Sequence, residues 1–210
     1  NLKNSIKLPD YDEQSERLRL GYNAKDQIIV LGSSRPGEES LILDCFKKLE
    51  KKVFELKVII VPRHLNRMNE IRNIFSQEDV SYYSEKTMPN NISVIDEMGL
   101  LPWMYSICDI AIIGGSFFPF GGHNPLEAAF YSKKIIIGPF YSSCQGSVDD
   151  LIEANAILIS NKETLCDDVL KLMENSDTQM GYRAKKVMQA NSSSLQKHLD
   201  IVMDYLIMNE

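Results

Sequence analysis

Four short runs of almost pure aliphatic residues constrain what this chain can fold into: Ile28-Ile29-Val30-Leu31, Val58-Ile59-Ile60-Val61, Ile110-Ala111-Ile112-Ile113 and Ile135-Ile136-Ile137. None shows the apolar–polar alternation of a sheet with one wet face, so each must be covered on both sides. Longer amphipathic segments separate the runs, the pattern of parallel strands whose connecting helices cover both faces of a sheet. The expected strands are Gln27–Leu31, Leu56–Val61, Ile92–Ile95, Ile110–Ile113, Lys134–Ile137 and Ala156–Ile159. Helices are expected at Glu13–Leu20, Glu38–Lys51, Asn66–Gln77, Leu101–Cys108, Pro125–Tyr131, Val148–Ala154, Lys162–Asn175 and about Thr178 to Met208. This order predicts an α/β fold, a doubly wound parallel sheet of Rossmann-like type, and 210 residues are enough for one packed domain.

Charge and cysteines narrow the partners. A net charge of -6 argues against an extended nucleic-acid surface but allows a local basic cluster to hold one small anion. Cys45, Cys108, Cys144 and Cys166 lie far apart, with no Cys-x-x-Cys pair or His cluster, and read as reduced thiols rather than a zinc site or disulfide framework. No apolar run approaches the roughly 20 residues of a membrane-spanning helix. The chain opens Asn1-Leu2-Lys3 with neither an initiator Met nor a signal-peptide pattern, and so reads as a piece of a longer protein.

In doubly wound sheets, ligands bind beyond the carboxyl ends of the strands, where loops and helix starts converge. The loop Gly114-Gly115-Ser116-Phe117-Phe118-Pro119-Phe120-Gly121-Gly122-His123-Asn124-Pro125-Leu126-Glu127 follows one buried strand, and its glycine pairs let backbone N–H groups approach a ligand. Asn124 suits an N-cap and Pro125 the first helical position, so a helix starting here would turn free N–H groups toward a phosphate. Glu127, in its first turn, either accepts both hydroxyls of a ribose or merely stabilises the helix start. Pro62-Arg63-His64 follows another strand; Arg63 can neutralise a phosphate bidentately, and His64 is a second donor or a structural hydrogen-bonder. Asp96-Glu97-Met98-Gly99-Leu100 offers a flexible thioether and open backbone for the face of a pyrimidine, or ordinary loop packing. The loop from Gly32 to Glu39 lacks both G-x-x-x-x-G-K-[ST] and G-x-G-x-x-G, excluding a P-loop and a dinucleotide fingerprint. Its Ser33, Ser34 and Arg35 present an oxygen-binding surface, or the loop simply caps a helix beginning at Glu38.

Together these segments resemble the Kdo (3-deoxy-D-manno-octulosonic acid) transferases, glycosyltransferases of the two-domain GT-B fold. The resemblance lies in Asn1-Leu2-Lys3, Ser33-Ser34 with Pro36-Gly37-Glu38-Glu39, Val61-Pro62-Arg63-His64, Met98-Gly99 and, most specifically, Gly114 to Glu127. It implies that residues 1–210 are the donor-binding domain, the acceptor domain being an N-terminal one outside this chain. Pro62, Arg63, Met98, Gly99, Leu100, Asn124, Pro125, Leu126 and Glu127 would bind the CMP part of CMP-Kdo, with Arg63 on phosphate, Glu127 on ribose and Met98 at cytosine. Ser33, Ser34, Arg35, His64, Gly115, Ser116, Gly122 and His123 are additional candidates. The implied reaction is an inverting, metal-free and cofactor-free transfer of Kdo to the lipid A precursor in lipopolysaccharide biosynthesis, at the cytoplasmic face of the bacterial inner membrane. The general base and any membrane contact would lie in the N-terminal domain, leaving this fragment inert alone. The chain departs from the family pattern at Arg35, where His is usual, at Leu100, where Glu is usual, and at Phe140 and Ser143, where His and Asn often stand. Alternatives within the fold are a UDP-sugar transferase or an epimerase; outside it, a non-catalytic nucleotide-binding module.

Overall fold

The computed structural model describes residues 8–174 and 179–191. Among them, seven parallel strands form one sheet: β1 (Gln27–Ser34), β2 (Leu56–Pro62), β3 (Val80–Tyr82), β4 (Ile92–Val94), β5 (Ile110–Ile113), β6 (Lys134–Ile137) and β7 (Leu158–Ile159), in the spatial order β3-β4-β2-β1-β5-β6-β7. From β1 the chain adds β2, then the edge strand β3, with β4 inserted between them, and then continues from β5 on the other side. The strand order therefore reverses between β1 and β5, where a doubly wound sheet opens its crevice.

The helices are α1 (Glu13–Arg19), α2 (Glu38–Leu49), α3 (Met68–Ile74), α4 (Leu101–Ile107), α5 (Leu126–Phe130), α6 (Gln145–Glu153) and α7 (Leu165–Glu174), followed by a helical stretch over 179–191. They divide between the two faces because successive strand residues point oppositely. Ile28 and Val30 join a core with Trp103 and Met104 of α4, Leu126 of α5 and Val148 and Leu151 of α6. Ile29 and Leu31 join a second core with Ile42 and Phe46 of α2, Ile71 of α3 and Leu165 and Val169 of α7. Both faces are dry, as the aliphatic runs require.

The differences from expectation have local causes. β1 continues to Ser34 through a register break, with Ser33 at φ 56° and Ser34 paired to Pro62. The edge strand β3 was not expected: it has three residues, and its central Ser81 is buried by a hydroxyl bond to Ser93 Oγ rather than by being apolar. The expected helix from Asn66 opens as a 3-10 turn at Leu65–Arg67 before α3. α6 starts at Gln145, three residues before the expected Val148, and β7 is confined to two residues. In the terminal stretch, Met180 and Ala184 are buried and Val187 and Met188 pack in part against the core, whereas the expected helix beyond residue 191 lies outside the described residues. Gly181 lies so close to the Ser132 carbonyl that no Cβ fits between them.

The amino-terminal edge of the sheet is held by a buried cation. Arg17 of α1 donates to the carbonyls of Ile107 and Asp26 and pairs with Asp109 at 2.9 Å and Glu13 at 3.0 Å. Asp109 also accepts the Ile28 N–H, so one network joins α1, α4 and β1. Replacing Arg17 by Met leaves buried carbonyls unpaired, and urea unfolding should show a loss of about 3–5 kcal/mol. A loss within about 0.5 kcal/mol, as for an ordinary surface change, would refute this account.

Candidate anion-binding crevice

At the carboxyl ends of β1 and β5 the backbones meet directly. Gly114 donates its N–H to the Gly32 carbonyl at 2.8 Å, and a Cβ at Gly114 would lie 2.5 Å from the Ser33 carbonyl oxygen. Glycine is the residue that permits such an approach. The loop after β5 then folds back on itself, with Gly122 N–H on the Gly115 carbonyl and His123 N–H on the Gly114 carbonyl. The next loop is attached to it as well: Gly138 N–H donates to Ser116 Oγ and Phe140 N–H to the Ser116 carbonyl.

A single carboxylate holds this loop against α2. Glu38, 1% exposed, accepts the N–H groups of Gly115 at 2.8 Å, of Ser116 and Phe117 at 3.0 Å each, and of Arg35 at 2.9 Å. Burial pushes its carboxyl above the usual range, while the four N–H bonds pull it back. Glu39 faces elsewhere: it accepts Ser34 Oγ at 2.7 Å and both terminal nitrogens of Arg67, which also pairs with Glu70. The expected helix-start role of these two glutamates is thus only part of what they do. What the sequence reading missed is that they bind loop backbone and a distant arginine; the available signal was two adjacent acids directly after Pro36-Gly37.

Around this frame the candidate residues sort into groups. Ser34 and Ser116 have their hydroxyls engaged inside the fold, Ser34 with Glu39 and Ser116 with the Ile113 carbonyl. Asn124 Oδ1 accepts the Leu126 N–H, so its side chain caps as expected, but the regular helix begins at Leu126 and runs only five residues, one residue later than expected. Free N–H groups, more than a long helix dipole, are what such a short helix offers. Leu126 is buried in the core, Pro62 ends β2 buried, and Arg63 stands exposed just beyond it. Met98 is exposed on the loop after β4, next to open Gly99 at φ 85° and half-buried Leu100. Because β4 neighbours β2 and all strands are parallel, this loop lies at the same sheet edge as Arg63.

The charges converge. Arg35 and His64 are in contact through Nη1 and Nε2, and since arginine only donates, the His64 nitrogen is the acceptor. The Arg35 guanidinium also lies 4.7 Å from the Phe120 ring centroid. His123 is pushed down to about 4, chiefly by burial and then by the positive charges of Arg63 and Arg35. Burial raises Glu127, which Arg63 partly opposes. Arg63, His64, Arg35, His123 and Glu127 therefore share one electrostatic neighbourhood. A cavity of about 310 Å³ adjoins it, lined by Pro119, Gly121, Pro139, Phe140, Tyr141, Ser142 and Gln145. A larger cavity of about 480 Å³, between α1, α4 and the β3–β4 edge, contains none of these residues, and the charge cluster rather than cavity size marks the chemistry here.

Two predictions follow from the loop frame. Glu38→Gln offers one oxygen where two served and turns an amide toward an N–H, so it should cost about 3 kcal/mol in urea unfolding; an unchanged midpoint would contradict the role. His123 has its folded pKa below the ordinary 6.5, so as pH falls from there toward about 4 the unfolded chain takes up a proton that the folded chain refuses. Stability must therefore fall with acidification. Between about pH 7.5 and about pH 5, His123→Asn should lose less stability than the parent, and equal losses would exclude His123 as the source.

No protein-family model matches the chain. Over 149 residues, 67% of this chain, it is 41% identical to a bifunctional glycosyltransferase/methyltransferase of Fusobacterium nucleatum, covering 23% of that protein. It is 31% identical over 203 residues to the 3-deoxy-D-manno-octulosonic acid transferase of Rickettsia bellii and 31% over 204 residues to that of Haemophilus influenzae. Those matches cover 91% and 92% of this chain and 48% of each enzyme, so the chain spans about half of these two relatives and about a quarter of the first. The C-terminal CMP-Kdo binding domain of WaaA from Acinetobacter baumannii superposes with a TM-score of 0.76 at 28% identity, over 84% of this chain and 94% of that domain. WaaG, a glycosyltransferase involved in lipopolysaccharide biosynthesis, shares the fold at 12% identity, with a TM-score of 0.64 over 96% of this chain and 54% of WaaG. The architecture is that of the C-terminal half of a GT-B glycosyltransferase.

Proposed function

We propose that this chain is the donor-binding half of a Kdo transferase, holding CMP-Kdo by its CMP moiety while an N-terminal domain presents a lipid A precursor. The observation that carries the reading is the Arg63 guanidinium, which has no ion pair among the described residues and lies in the field of Glu127 and His123 at the sheet's switch edge. The likeness to a CMP-Kdo binding domain supports the ligand's identity.

In this reading Arg63 and the N–H groups at the start of α5 hold the phosphate, Glu127 accepts the ribose hydroxyls, and Met98-Gly99-Leu100 flank cytosine. In the transfer, the bond from the anomeric carbon of Kdo to the phosphate oxygen breaks and a bond from that carbon to the acceptor oxygen forms with inversion. The acceptor proton passes to a carboxylate of the N-terminal domain. Negative charge develops on the departing phosphate, and a fixed guanidinium stabilises it without waiting for solvent to reorient. The raised pKa of Glu127 fits a carboxylate held in a dry cleft and opposed mainly by Arg63. In the whole enzyme the setting is lipopolysaccharide biosynthesis at the cytoplasmic face of the inner membrane.

Calorimetry tests the reading. The 210-residue chain should bind CMP in preference to UMP and UDP, and Arg63→Gln and Glu127→Ala should each weaken CMP by about tenfold or more. Retained affinity in both variants would favour a non-catalytic module, and a preference for UDP would favour a UDP-sugar enzyme. The chain alone, incubated with CMP-Kdo and acceptor, should transfer no Kdo, because a positioned nucleophile and base are needed for attack.

A further inference from the structure

We infer that Arg35 is a second anion ligand, taking the sugar carboxylate of a nucleotide-linked sugar acid whose phosphate is taken by Arg63. The inference rests on the donor-binding reading above and adds to it which part of the donor this chain recognises beyond CMP.

The pairing of the arginines points to it. Arg17, Arg19, Arg67 and Arg72 each meet a carboxylate within 4 Å. Among the described residues, the side chains of Arg35 and Arg63 meet none, in a protein with six more acidic than basic residues. Two cations with no carboxylate at ion-pair distance at one edge, where acids are plentiful elsewhere, are suited to a ligand with two negative charges.

Their placement matches such a ligand. Ser34 and Pro62 are register partners on adjacent parallel strands, and Arg35 and Arg63 are the next residue on each. The Arg63 N–H donates to the Ser34 carbonyl at 3.1 Å, tying the two positions together. Both guanidiniums act on His123, so they share one side of the crevice. In a 2-ulosonic acid linked to a nucleotide, the carboxyl group sits on the anomeric carbon, one carbon and one bridging oxygen from phosphorus. Neighbouring cations fit this spacing, whereas a neutral sugar would leave one of them unanswered.

The Arg35 side chain is also held in a resting pose that an anion would improve. Its Nε is buried without a partner, and its Nη1 meets the His64 ring instead of an acid. A carboxylate arriving from the crevice could accept from two guanidinium nitrogens at once, in a geometry that a histidine could not supply.

CDP serves as a stable probe, since its second phosphorus stands where the anomeric carbon would be and carries the extra charge beside it. In calorimetry, Arg35→Gln should weaken CDP by about tenfold while CMP changes by less than about twofold, and Arg63→Gln should weaken both. Arg35→His should fall between parent and Gln for CDP, and urea unfolding of each variant verifies the fold. Equal weakening of CMP and CDP by Arg35→Gln would assign Arg35 to the first phosphate and overturn the inference; so would no weakening of either. If the parent chain binds no CMP, the donor-binding reading itself fails and the inference falls with it.

Discussion

The crevice depends on the Glu38 carboxylate. Three consecutive N–H groups, those of Gly115, Ser116 and Phe117, turn inward toward the start of α2, and without an acceptor there they would be buried and unpaired. Because the acceptor belongs to the helix that follows β1, the loops after β1 and β5 become one unit across the switch point. Glu39, next along the same turn, extends the unit to the segment after β2 through Arg67. One helix start with two differently aimed acids thus positions the loops that carry Arg35, Arg63 and His123.

The fold was legible where burial alone determined it. β5 is aliphatic from end to end and β6 is so after Lys134, and both match the expected spans to the residue, because a strand covered on both faces admits little else. β3 was missed because Ser81 is tolerated inside by a hydroxyl partner supplied from β4, which a local window cannot contain. The same limit applies at the crevice. Arg63, His123 and Glu127 could be singled out by residue type and loop position. That Glu38 would serve N–H groups 77 to 79 residues further along, or that Ser34 would turn to Glu39, follows from tertiary packing and leaves no periodic trace.

The two edges of the sheet use charge in opposite ways. At the amino-terminal edge, Arg17 and Lys133 are saturated by Glu13 and Asp109, so their charge is spent on holding elements together. At the carboxyl edge, Glu38 and Glu39 are turned inward onto backbone and Arg67, and Arg35 and Arg63 meet no carboxylate within 4 Å among the described residues. A chain of net negative charge thereby keeps two arginines unpaired with acids at this mouth, apart from the charges that hold the fold together.

Gly181 links the far end of the chain to this mouth. With no side chain between its backbone and the Ser132 carbonyl, the helix over 179–191 rests on the turn that closes α5, and α5 begins beside Asn124 and carries Glu127. A contact of bare backbone on bare backbone has no flexible cushion to absorb displacement. Displacement of this late helix would therefore bear directly on the turn that closes α5, the short helix that carries Glu127.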